Sequence, residues 1–218
     1  MNDRELFKIL EKHILEDKNP SEFLSFLKKK KFLEGSFLEI LMDLEEVKQE
    51  KTHHPEGNVW IHTMQVLDEA ASLRSLANNK REFMWAALLH DIGKRDTTKM
   101  RNGRWTSYDH DRVGAKLSKE ILESITNQGE FVSKVSNLVR YHMSYLYIDK
   151  NLLFVKPEDM VENSDLHDIA LLTYCDRVGR GKKTLEDKKK ILDSINDFIV
   201  KVNEKTNENY DKLYVLEK

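Results

Sequence analysis

The stretch Glu82-Phe83-Met84-Trp85-Ala86-Ala87-Leu88-Leu89-His90-Asp91-Ile92 decides the fold. From Met84 to Leu89 it is apolar on every side, with no proline and no alternation of polar and apolar residues. A helix of that character is one that other elements enclose, so a buried helix is predicted over 82–92. It runs straight into an imidazole and a carboxylate. A buried carboxylate is costly unless it is paired or bound to a metal.

Outward from this stretch the chain reads as punctuated helices. Upstream, 59–73 is strongly amphipathic and follows the turn His53-His54-Pro55-Glu56-Gly57. Further back, 37–51 places Phe37, Leu38, Leu41, Leu44 and Val47 in a 3–4 residue rhythm, which predicts another helix. Pro20-Ser21 opens a helix with Phe23, Phe26 and Leu27 on one face, and Asp3 caps a first helix through about Glu16. Downstream, 93–108 is polar and carries two glycines, so it reads as a long loop of the kind that often serves function. Helices are expected at about 111–125, 130–145, 165–178 and 185–204. The class is all-α: a helical bundle over 53–180, with an N-terminal helical extension (1–52) packed on it and a C-terminal helix (181–218).

Composition agrees with a globular helical chain. Area scaling for 218 residues gives about 70% burial, enough for one core without disulfides or metals as staples. Charged residues make up 34% and apolar ones 39%, with a mean hydropathy of −0.62. A net charge of −2 argues against a protein built to coat nucleic acid, though a local basic patch stays open. With one cysteine, Cys175, no intramolecular disulfide can form. No apolar run reaches the roughly 18 residues of a membrane span. The opening Met1-Asn2-Asp3-Arg4-Glu5 has no signal-peptide core, so a cytoplasmic protein is expected.

The chemistry lies in the histidines. His62 shares a helical face with Val59 and Val66, and His90 with Phe83, Ala86 and Ala87. His142 lines up with Val135, Leu138 and Val139, and Asp176 with Ile169, Leu172 and Thr173. No lysine or arginine precedes Asp91 or Asp176 at three or four residues. One inward histidine is usually a satisfied core residue. Several, on different helices and joined by inward carboxylates, converge inside a bundle and imply a shared cation. Imidazole with carboxylate suits Mn, Fe, Co, Ni or Zn. His167 lies nine residues before Asp176, about 180° round the helix, and is excluded. His13 lacks the matching neighbours. His53, His54 and Glu56 read equally as a polar turn and as a pocket lip, and they stay outside the site. Trp85 reads as core, Trp105 as a loop anchor, and Cys175 as an inert buried thiol.

The order His62, His90-Asp91, Asp176 resembles the HD superfamily of metal-dependent phosphohydrolases, and His90-Asp91-Ile92-Gly93-Lys94 is similar to its central stretch. His110, followed by Gly114-Ala115, and His142 match the extra histidines of binuclear members. Two further segments, 54–63 and 103–115, resemble the HD domain of tRNA nucleotidyltransferases, the CCA-adding enzymes, as does 37–51. The likeness covers roughly 20–180 and leaves no room for the nucleotidyltransferase head, so CCA addition is not implied.

The resemblance implies one ion on His62, His90, Asp91 and Asp176, and a second on His110 and His142 with Asp91 bridging. Two such ions about 3.5–4 Å apart would share a hydroxide that attacks phosphorus. Asp91 and Lys94 are the catalytic candidates, with Lys94 the cation beside the phosphoryl oxygens. Arg112 is the second substrate-binding candidate, while Asp111 reads as a helix N-cap. The expected substrate is a nucleotide or RNA-end phosphoester, including 2′,3′-cyclic and 2′-nucleotides. The alternative is a non-hydrolytic RNA- or nucleotide-binding module with a structural metal. Neither a membrane nor an obligate protein partner is implied. The basic runs 28–31 and 177–190 read as solvated faces, the second placed to collect a polyanion.

Overall fold

The computed structural model describes residues 2–50, 52 and 54–215. Among these the chain is helical apart from one short hairpin. Helix α1 (Asp3–Glu16) is capped by Asn2, one residue before the expected cap, in a reciprocal box with Glu5. Helix α2 (Pro20–Lys29) buries Pro20, Leu24 and Leu27. Phe26, expected on that inner face, is 47% exposed, and Phe23 stacks on His13 instead.

The expected helix over 37–51 does not form across the described residues. Only Ile40–Asp43 (α3) is helical. The buried positions Leu38, Leu41, Leu44 and Val47 recur every three residues. Backbone bonds follow the same step, Leu41 to Leu38, Leu44 to Leu41 and Glu46 to Asp43. A strict period of three eclipses side chains and suits 3₁₀-like turns rather than an α-helix.

Helices α4 (Val59–Leu73) and α5 (Lys80–Leu89) form the centre, with Phe83–Leu89 wholly buried. Trp85 stacks on Phe7 at 4.9 Å and donates its indole N–H to Glu11, which ties α1 to α5. Helix α5 stops before His90, and His90–Gly93 continue as turns with i→i+3 bonds.

The segment expected as one long loop contains helix α6 (Lys94–Thr97) and an antiparallel pair, β1 (Lys99–Arg101) with β2 (Arg104–Thr106). Its turn is Asn102-Gly103, both with positive φ. That dipeptide is a strong two-residue hairpin signal, and its twist matches the strands.

Helix α7 (His110–Glu123) begins after Asp109, which sits in the left-handed region and makes no side-chain cap bond. Asp111 is therefore not the N-cap. It is buried within the first turn and pairs with Arg140. The expected helix over 130–145 is split into α8 (Gly129–Tyr141) and α9 (Ser144–Asp149). At the break, the His142 carbonyl accepts from Thr173 Oγ1 while the Leu146 N–H turns to Met143.

Helix α10 (Pro157–Asn163) was not anticipated from the sequence. Helix α11 (Leu166–Val178), capped by Asp165, is buried along almost its whole length. Helix α12 (Leu185–Thr206) lies over α9, α10 and α11. One apolar cluster runs from Leu6 to Leu213 and is centred on α4, α5, α8 and α11. Among the described residues no helix is long and apolar enough to cross a membrane.

One close approach positions the site. A Cβ on Gly93 would lie 2.1 Å from the His110 carbonyl and 2.5 Å from Gly114 N. Glycine alone lets the turn after Asp91 rest on the start of α7.

Candidate metal centre

The fold brings His62, His90, Asp91, His110, His142 and Asp176 to one point. Each is at most 7% exposed. His62 projects from the first turn of α4 and Asp176 from the last turn of α11, His90 and His142 end α5 and α8, and His110 opens α7.

The two oxygens of Asp91 face different histidines. Oδ2 lies 3.4 Å from His62 Nε2 and 3.3 Å from His90 Nε2. Oδ1 lies 3.5 Å from His110 Nε2 and 3.9 Å from His142 Nε2. Asp176 Oδ1 completes the first group, 3.0 Å from His62 Nε2.

The outer nitrogens settle the tautomers. Nδ1 of His90, His110 and His142 points at the carbonyls of Ala87, Ser107 and Val139, at 2.9, 2.7 and 2.6 Å. A carbonyl only accepts, so each Nδ1 carries a proton, and His110 and His142, which burial keeps neutral, turn a bare Nε2 inward. The inward nitrogens of His110 and His142 then meet at 3.3 Å. Two lone pairs cannot hydrogen-bond to each other. Asp91 Oδ1 faces that pair at 3.5 and 3.9 Å, beyond ordinary hydrogen-bond length. A cation between the donors answers both, so the donor set fits divalent metal ions of the imidazole- and carboxylate-binding kind.

Electrostatics point the same way. Burial raises the pKa of the Asp91 carboxyl, but Lys94 and His90 outweigh it and hold the group well below its usual range. Burial likewise opposes ionisation of Asp176, which Arg180 and His62 keep well below the ordinary value. Burial pushes His110 down to about 3 and lowers His142 as well, so both rings stay neutral.

Three neighbours complete the site. Lys94 Nζ is 2.7 Å from Asp91 Oδ2 and donates to Gln49 Oε1 at 2.9 Å. Arg180 Nη2 donates to Asp176 Oδ2 at 2.5 Å. The carboxylates thus have cationic partners, but on the following turn, at i+3 and i+4, rather than on the preceding one. The third neighbour is Glu56. Its side chain is fully buried, with Oε1 at 3.0 Å from His62 Nδ1 and 2.9 Å from His54 Nδ1. Burial opposes its ionisation, yet contact with His54 and His62 brings its pKa to about 2.

Gln49 and Glu56 had no periodic signal in the sequence, whereas Arg180 stood one helical turn after Asp176. His53 lies outside the described residues. Arg112 is exposed on α7 and its guanidinium donates to the Phe154 carbonyl at 3.2 Å. The excluded histidines lie elsewhere, His13 against Asp17 and His167 against the Leu76 carbonyl.

The HD domain family model matches residues 59–180, more than half of the chain and all six of the converging residues. The chain belongs to the HD domain family. HD domains are generally metal-dependent hydrolases, which accords with the donor set described above.

The HD domain here is similar to part of several curated proteins. It is 31% identical over 96 residues to a multifunctional CCA protein of Actinobacillus pleuropneumoniae serotype 5b, covering 44% of this chain and 23% of that one. It is 42% identical over 67 residues to an A-adding tRNA nucleotidyltransferase of Deinococcus radiodurans, covering 30% and 15%. A multifunctional CCA protein of Vibrio vulnificus matches at 28% over 175 residues, 74% of this chain and 39% of its own. The chain thus spans well under half the length of these relatives.

Proposed function

We propose that this HD domain is a metal-dependent phosphohydrolase acting on nucleotide or RNA-end phosphoesters, 2′,3′-cyclic and 2′-nucleotides among them. The observation that carries the reading is the shared Asp91 carboxylate, each of whose oxygens faces its own pair of imidazole Nε2 atoms. His62, His90, Asp91 and Asp176 would hold one ion, and Asp91, His110 and His142 a second. Mn, Fe, Co, Ni and Zn all suit this donor set. When bound, such ions supply Lewis-acid charge and acidify a coordinated water at neutral pH.

The chain's own residues do the rest. The backbone carbonyls behind His90, His110 and His142 fix the rings, so the donors need little rearrangement. Lys94 holds a buried positive charge beside Asp91, where it favours negative charge on phosphoryl oxygens. Arg112 on α7 is an outer contact for the substrate's phosphate. The nucleotide class is supported by the tRNA nucleotidyltransferase relatives, though only the part they share is at issue here.

The test is hydrolysis with added Mn²⁺ or Ni²⁺ over a panel of 2′,3′-cyclic nucleotides, 2′-, 3′- and 5′-nucleotides and a generic diester. The expected result is turnover on at least one member that falls about 10³-fold in Asp91→Ala, the loss of about 4 kcal/mol of transition-state stabilisation. Bound metal without turnover above the Asp91→Ala background would overturn it in favour of a binding module.

A further inference from the structure

Past Asp176 the chain folds back beside the metal centre. A Cβ on Gly181 would meet Pro55 Cγ at 3.0 Å, so the loop after α11 packs on the turn that carries Glu56. Next to this contact is a cleft of about 490 Å³ that Thr52 also borders. Arg177, Arg180, Lys182, Lys183 and Lys190 line it, against one carboxylate, Asp187, among the described residues. That carboxylate is turned to the start of α12, accepting from Thr184 N at 3.0 Å and Thr184 Oγ1 at 2.8 Å. Lys190 meets Glu186 on the exposed rim.

The two arginines are fixed in place. Arg180 is gripped by both oxygens of Asp176, at 3.2 and 2.5 Å. Arg177 donates to Ser194 Oγ at 2.9 Å and lies over the Tyr145 ring at 4.6 Å. Guanidinium groups held this way lose little freedom on binding and suit phosphate oxygens. Among the described residues no aromatic ring lines the cleft, so these offer nothing on which bases could stack. Arg180 belongs to both places: it lines the cleft and touches a residue of the metal centre.

We propose that this cleft is a phosphate-chain subsite. It holds the phosphates next to the one at the metal centre, as in an oligoribonucleotide or a nucleoside polyphosphate, and so favours such substrates over mononucleotides. The inference rests on the phosphoester reading of the metal centre.

The test is the double variant Lys182→Glu/Lys183→Glu, two side chains on the rim of the cleft. Binding is measured on the full chain carrying Asp91→Ala, with a labelled octaribonucleotide, adenosine triphosphate and adenosine 2′-phosphate as probes. The double variant is expected to weaken the octamer or the triphosphate at least tenfold, and adenosine 2′-phosphate far less. For the octamer, the slope of log affinity against log salt should shrink by about 1.4, or 0.7 per lysine. Weakening confined to the octamer assigns the cleft to a phosphodiester backbone, and weakening confined to the triphosphate assigns it to a phosphoanhydride chain. Unchanged affinity for both, or equal weakening of all three probes, overturns the subsite. The two readings fail separately. Salt-dependent octamer binding without hydrolysis of any ester by the parent protein would sink the phosphohydrolase and spare the cleft. Hydrolysis by the parent, with octamer and triphosphate binding unmoved in the double variant, would do the reverse.

Discussion

A carboxylate held against the Nδ1 of an imidazole decides which ring nitrogen keeps its proton. Glu56 Oε1, 3.0 Å from His62 Nδ1, is placed to do this for His62, while backbone carbonyls do it for the other three rings. Glu56→Gln keeps the shape and removes the charge, so metal affinity is expected to fall 10–100-fold, read by competition with a chelating dye. The ¹⁵N shifts of His62 should then report a mixed tautomer, which a purely structural role would not produce. His110→Ala is expected to lower bound metal from two ions to one by elemental analysis. Unchanged stoichiometry would refute the second position. Asp91 was legible in the sequence because an inward carboxylate on an apolar helix needs a partner. Glu56 was not, because it sits in a turn where no period assigns a face. Lys94 was legible as a cation, but its grip on Gln49 depends on a segment that folds as irregular turns.

Elements were legible where they are long. Helix α4 has the bounds its rhythm implies, and α11 and α12 nearly so, because many turns average out local conflicts. The short pieces failed for distinct reasons. The 37–51 stretch has a period of three rather than 3.6, and the α8–α9 break falls where the His142 carbonyl meets Thr173 of another helix. The hairpin had its signal in Asn102-Gly103, but strands of three residues are too brief for alternation to show. Element contacts also explain Gly93. With its Cβ in collision with α7 backbone, Gly93→Ala is expected to cost about 3 kcal/mol, the upper end of overpacking. It should also displace His110. Denaturant midpoints check the first effect, and loss of one bound ion checks the second.

At the scale of the whole molecule, the candidate ligands come from α4, α5, α7, α8 and α11, so an ion would tie most of the core together. Free metal at a hundred times its dissociation constant adds about 2.7 kcal/mol. For a domain of this size that is about 5–10 °C in Tm. Chelation should therefore lower Tm by that amount and Mn²⁺ should restore it, as scanning calorimetry can show. The spread of these residues along the chain also sets a schedule. His62 and Asp176 are 114 residues apart, and at about 5–20 residues per second a ribosome needs roughly 6–20 s between them. Within that interval His90, Asp91, His110 and His142 join His62 one after another, all before the closing carboxylate Asp176 is made. Metal selection by this domain would thus wait until α11 is made and docks, and would fall to whichever ion the cell then supplies.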